Sequence, residues 1–203
     1  MPETTRALLS GQETAWKLIL EHPFVAQTSA GTLPVSAFDR WLIEDYYFVR
    51  SFRAFLTDLV AIAPDDEAGE VLAGGLAALD PELALFEAAA AERGLDLATE
   101  PSLVNLGYSS YIAATVLADW SVAITVLYAV EKAYYDAWAS VRDTTGPATQ
   151  YAGFIANWSS PEFAAYVEQL GGLVDREELT PELTQAFDRV VRFELAFWDL
   201  VAG

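Results

Sequence analysis

The sequence predicts an all-α fold, and three observations carry that prediction. Apolar residues recur three and four positions apart through most of the 203-residue chain, the spacing that gathers side chains on one face of a helix. No stretch alternates with a period of two for long enough to make a strand. Prolines and glycines divide the chain into segments of helical length, several of them opened by a cap residue, a proline and an acid.

The elements follow in order. Ser10 with Glu13 reads as a capping box for a first helix running to about Glu21, where His22-Pro23 stops it. Pro34 opens a long helix through Ile62, ended by Pro64. Two segments come next, Asp66 to Leu79 and Pro81 to Arg93, with Gly94 as the C-terminal stop. Pro101 begins another. A long apolar stretch covers Tyr108 to Val141, with a break expected near Asp119-Trp120, and Gly146-Pro147 ends it. Ser160-Pro161-Glu162 and Thr180-Pro181-Glu182 each supply an N-cap, a first helical proline and a first-turn acid for the last two helices. Gly74-Gly75 and Gly171-Gly172 read as turns or close helix contacts. With no repeat and no flexible linker, residues 1–203 are expected to form a single domain.

Three carboxylates stand where these helices should be apolar. Asp45 falls on the stripe Trp41, Phe48, Phe52, Phe55; Glu131 on Ile124, Leu127, Tyr134, Trp138; and Glu194 on Phe187, Val190, Val191, Trp198. An unpaired buried charge costs several kcal/mol or shifts its pKa until it is neutral. Acids kept in such places usually bind something. The bland reading, acids paired with Arg50, Arg53, Arg192 or a tyrosine hydroxyl to order a bundle, is about even for one acid and weaker for three together. Tyr46, Tyr47, Tyr134 and Tyr135 call for the same restraint, because an aromatic stripe is more often core than ligand platform.

Composition narrows the chemistry. Thirty acids against eleven bases, only two of them lysine, give a net charge of −19, a field that repels nucleic acid and anionic lipid. The same balance fits a salt-rich cytosol, although a merely solubilising acidic surface explains it too. No apolar run approaches the ~18 to 20 residues that span a bilayer, and the N-terminus lacks the order of a signal peptide, so a soluble cytoplasmic protein is expected. With no cysteine there is no disulfide, thiolate metal site or thiol nucleophile. The only histidine, His22, precedes a proline and reads as a cap or packed ring, and no Glu-x-x-His pair suggests a metal site. No cofactor or metal is expected. What remains is carboxylates among aromatics, suited to a flat ring that stacks and donates hydrogen bonds. Acids in such an apolar setting also acquire raised pKa values, which fits them for proton transfer near neutral pH.

The residues resemble a known family. His22-Pro23-Phe24-Val25, Gly31-Thr32-Leu33-Pro34, Phe38, and Trp41 to Phe48 with Glu44-Asp45-Tyr46-Tyr47 are similar to the opening of the TenA/thiaminase II family. Glu131-Lys132-Ala133-Tyr134-Tyr135, the segment Tyr151 to Trp158, and Phe193-Glu194-Leu195-Ala196-Phe197-Trp198-Asp199 continue the likeness, so it covers nearly the whole chain. The resemblance implies a heme-oxygenase-like helical bundle without haem, a homotetramer, and salvage of the pyrimidine half of degraded thiamine by hydrolysis of an exocyclic C–N bond. It implies that Asp45 binds the aminopyrimidine ring, that Glu194 transfers protons, and that Tyr134 lies one turn after the usual catalytic cysteine. Val130 stands at that cysteine position, and Phe48 and Trp158 replace common tyrosines. Ala129 to Tyr134 is thus similar to the cysteine-less branch, TenA_E-like, in which a glutamate lies beside the vacant position.

The expected catalytic residues are Glu194, Glu131 and Tyr134, and the expected substrate-binding residues are Asp45, Phe48, Tyr47, Trp158 and Val130. Without a thiolate, covalent capture and thiamine cleavage are disfavoured. The expected activity is hydrolysis of aminomethylpyrimidine, its formylamino precursor, or both, to hydroxymethylpyrimidine, with Glu194 and Glu131 sharing the acid and base roles. The alternatives are a non-catalytic aminopyrimidine-binding protein and a regulatory one. A cofactor-independent oxidase of the same bundle class is disfavoured by the single histidine.

Overall fold

The computed structural model describes residues 4–142 and 151–203, and every regular element in those residues is a helix. α1 (Thr4–Gly11) and α2 (Glu13–Leu20) meet at Gln12. The expected capping box is absent, because Ser10 lies inside α1 and Gln12, which precedes α2, makes no side-chain cap bond. The chain coils from its first described residue. There Thr4 donates to the carbonyl of Glu177 and Thr5 to the carboxylate of Asp175, which anchors the first turn. Ser10 is next to last in α1, where the groups left without a helical partner are carbonyls and not N–H groups.

α3 (Pro23–Ala30) begins at the stop marked in the sequence. His22 caps it, with Nδ1 accepting from the Phe24 N–H at 3.2 Å, and Gly31 closes it at φ 68°. α4 (Val35–Ala61) follows, and then α5 (Asp66–Arg93) runs unbroken through Pro81, where the sequence predicts two helices. An interior proline costs about 3 kcal/mol. Leu79 and Phe86 are buried on either side of it, and their packing offsets that cost.

α6 (Leu103–Thr115) and α7 (Trp120–Arg142) are separated near Asp119, as expected. α8 (Ala152–Trp158), α9 (Pro161–Val174) and α10 (Pro181–Ala202) complete the chain. The hydroxyls of Ser102, Ser160 and Thr180 cap α6, α9 and α10, each worth about 1 kcal/mol. The expected stop at Gly146-Pro147 lies outside the described residues.

α7 is the axis. It packs against α2, α3, α8, α9 and α10, and its residues 123–130 are all buried. α4 lies between α5 and α6 and also meets α10. The glycine pairs lie inside α5 and α9, so they are contacts and not turns. A Cβ on Gly75 would sit 2.2 Å from the Tyr166 hydroxyl, and one on Gly171 would sit 3.3 Å from the Tyr128 ring. Between α4, α7 and α8 the core is aromatic, with Trp138 stacked on Trp158 at 5.4 Å and Phe154 edge-on to Trp41 at 4.9 Å. No helix among the described residues is long and apolar enough to cross a membrane.

Candidate active site

A cavity of about 860 Å³ opens between α5 and α9 and reaches inward to α4, α7 and α8. Asp45 is completely buried at its inner end, on the helical stripe predicted for it. The Tyr134 hydroxyl, reaching across from α7, donates to Asp45 Oδ1, and Oδ2 has no partner. Burial pushes this carboxyl well above its ordinary range. The Tyr134 hydrogen bond opposes that push, while Glu82 and Glu194 add to it. Tyr134 is itself fixed by stacking on Trp198 at 5.6 Å and by an edge contact with Trp158 at 5.6 Å.

Glu131 lines the cavity, and burial raises its pKa well above normal, with Glu82 and Glu194 adding repulsion. Glu194 lies behind the wall and is not a lining residue. Its Oε1 accepts from the Tyr108 hydroxyl at 2.6 Å and its Oε2 is unpartnered. Burial lifts it to about 8, against the Tyr108 hydrogen bond. No arginine pairs with Asp45 or Glu194 among the described residues; Arg53 instead meets Asp80 at 2.7 Å and Arg50 lies over the Tyr46 ring. Phe48, Trp158 and Val130 line the cavity. Tyr47 is half-buried and does not.

Two features went unread in the sequence. Glu82 lines the cavity from α5, accepts a 3.2 Å hydrogen bond from Asn157 Nδ2 on α8, and is pushed up to about 7, chiefly by burial. Its signal was present: read as one helix, α5 carries the stripe Leu72, Gly75, Leu79, Glu82, Phe86, Ala90, with an acid again on the buried face. The second is Glu44, whose buried carboxylate accepts from the Ser102 N–H at 3.1 Å and from Asn105 Nδ2 at 2.8 Å. This ties the start of α6 to α4 and so sets Tyr108, one turn along, against Glu194.

The rim carries Glu67, Glu70 and Glu162, all exposed. Arg176 is the one cation among the described lining residues, and it is held by Asp65 at 3.1 Å and Glu67 at 2.6 Å. The interior therefore collects acids with no cation free to neutralise them. Such a site suits a neutral or positively charged aromatic ligand that donates hydrogen bonds.

A helical bundle built around such an interior has relatives. The TENA/THI-4/PQQC family model matches residues 11–202, and the chain belongs to that family. It is 27% identical over 90% of its length to a probable bifunctional TENA-E protein of Glycine max, covering 86% of that protein. It is 24% identical to an aminopyrimidine aminohydrolase of Helicobacter pylori, over 98% of both chains. Among solved structures, a TenA homologue from Pyrococcus furiosus superposes with a TM-score of 0.92 at 30% identity, over 98% of this chain and 99% of that one. A protein of heme-oxygenase-like fold from Shewanella denitrificans gives 0.71 at 15% identity, over 97% and 91%, a likeness of fold alone. The fold is thus the expected heme-oxygenase-like bundle, and the absence of cysteine fits the cysteine-less branch. His22 is not a lining residue; its Nδ1 caps α3 and its Nε2 faces Asp199 at 3.1 Å.

Proposed function

We propose that the protein is a hydrolase of thiamine salvage that acts on an amine-bearing pyrimidine, cleaving the exocyclic C–N bond of aminomethylpyrimidine or of its formylamino precursor. The observation that carries this reading is the group of acids Asp45, Glu82 and Glu131 in one aromatic cavity whose one lining cation among the described residues, Arg176, is already engaged. Membership of the family and the likeness to the Helicobacter pylori aminopyrimidine aminohydrolase support it.

Asp45 orients the ring. Burial raises its pKa and favours the protonated form, in which one oxygen can accept from an amine while the other donates to a ring nitrogen beside it. Phe48 and Trp158 supply faces for stacking, Tyr134 holds Asp45 in place, and Val130 gives an apolar wall where a nucleophile would otherwise stand. For the amine, the oxygen of water forms a bond to the exocyclic methylene as the C–N bond breaks. One proton leaves the water and one reaches the departing nitrogen, giving alcohol and ammonia. Glu131, on the cavity wall with a pKa raised by burial, serves as the proton donor to the departing nitrogen, and Glu194, lifted to about 8, backs it from behind the wall.

The test is incubation of the purified protein with the formylaminopyrimidine, the aminomethylpyrimidine and thiamine, at low and high salt, followed by mass-resolved chromatography. Hydroxymethylpyrimidine should appear from one or both of the first two while thiamine stays intact. Glu131→Gln and Glu194→Gln should each lower kcat at least about a hundredfold with folding retained. Binding of the pyrimidine without turnover in the unaltered protein would instead identify a non-catalytic binding protein.

A further inference from the structure

Three cavity carboxyls compete for the part of water-activating base, and their hydrogen bonds separate them. Asp45 receives one bond, from a hydroxyl. Glu131 receives none among the described residues. Glu82 accepts an N–H hydrogen bond from α8, donated by the Asn157 amide at 3.2 Å. The Nδ2 group that faces Glu82 is neutral and only donates, so it favours the ionised form of the carboxyl it holds.

We infer that Glu82 is the catalytic base of the site, the carboxylate that takes the proton from the attacking water, and that Asn157 is its positioning residue. The inference rests on the hydrolase reading above and assigns the proton that reading leaves unplaced. The water gives its proton to Glu82 as its oxygen bonds to the methylene carbon, and the neutral Glu131 gives its proton to the nitrogen as the C–N bond breaks. Transfer of one proton from Glu82 to Glu131 through the cavity then restores both.

Glu82 is suited to this exchange because it lines the cavity with Asn157 holding one oxygen and its pKa of about 7 lies near working pH; burial raises Glu131 and Asp45 as well, and Glu82 adds repulsion to both. The groups that face it are Asp45 from α4, Glu131 from α7, Asn157 and Trp158 from α8, and Tyr166 from α9. None is a cation. Ligand contacts that replace water around Glu82 are therefore the main influence left on its titration.

The experiment measures kcat against pH on the aminomethylpyrimidine, together with pyrimidine binding, for the unaltered protein, Glu82→Gln and Asn157→Leu. Activity of the unaltered protein should rise with pH through about 7 as Glu82 ionises. Glu82→Gln should bind the pyrimidine, lose at least about a hundredfold in kcat, and lose that acid limb. Asn157→Leu removes a donor that lowers the pKa, so its limb should move to higher pH, a readout that a purely structural role would leave in place. Glu82→Gln within about threefold of the unaltered rate with its limb intact, or an unmoved limb in Asn157→Leu, would overturn the assignment while leaving the hydrolase reading standing. An unaltered protein that binds the pyrimidine and turns none over would overturn both.

Discussion

At the scale of single residues, the interior is a set of acids held away from their preferred ionisation. Burial raises Asp45, Glu82, Glu131 and Glu194 alike, and only hydroxyl or N–H donors oppose it. A carboxyl with a raised folded pKa binds its proton more tightly in the folded chain than in the unfolded one. Its contribution to stability is complete below the unfolded value of about 4 and is lost as the pH rises through the folded value. For Glu82 and Glu194 that window ends at about 7 and about 8. Tm should therefore fall between pH 5 and pH 8, and Glu194→Gln, which cannot ionise, should make the fall shallower. Calorimetry across that range checks both; a Tm that rises with pH would contradict the account.

At the scale of elements, the cavity is set by how closely α5 approaches α9. Gly75 permits that approach, since a methyl group there would collide with the Tyr166 hydroxyl and ring, at 2.2 Å and 2.5 Å. Gly75→Ala should lower stability by about 1–3 kcal/mol, read as a drop in Tm, because the Tyr166 side chain must leave its place against α5 to make room. Most of the scaffold was legible in the sequence for a simple reason. The stripes through Asp45, Glu131 and Glu194 keep helical spacing over several turns, so a one-residue error would have broken the pattern. α5 was misread because a proline signals a boundary locally, while the packing of Leu79 and Phe86 that carries the helix past it is tertiary. Splitting α5 made Glu82 look like a first-turn acid and hid its place on the buried stripe. Tyr47 illustrates the opposite limit: it neighbours Phe48 in sequence, yet one residue turns a helix by about 100°, which takes it off the cavity wall.

At the scale of the whole molecule, a net charge of −19 acts on the fold as self-repulsion. Screening shortens from about 10 Å at 0.1 M salt to about 3 Å at 1 M. Tm should consequently rise by several degrees over that range at constant pH, and a salt-independent Tm would argue against repulsion as a limit on stability. The rim of the cavity has a different dependence. Glu67, Glu70 and Glu162 flank the opening, and Arg176 is neutralised by Asp65 and Glu67, so an arriving molecule meets a negative potential before it meets any pocket. The opening thus sorts by charge: it hastens the encounter of a protonated amine, is indifferent to a neutral amide, and slows a phosphorylated or carboxylated analogue. Because this is long-range attraction, salt weakens it, and the preference for amine over amide in kcat/KM should narrow as ionic strength rises. A protein of this design working in concentrated salt gains firmness and gives up reach, and must select its ligand by contact inside the cavity and not by attraction at the door.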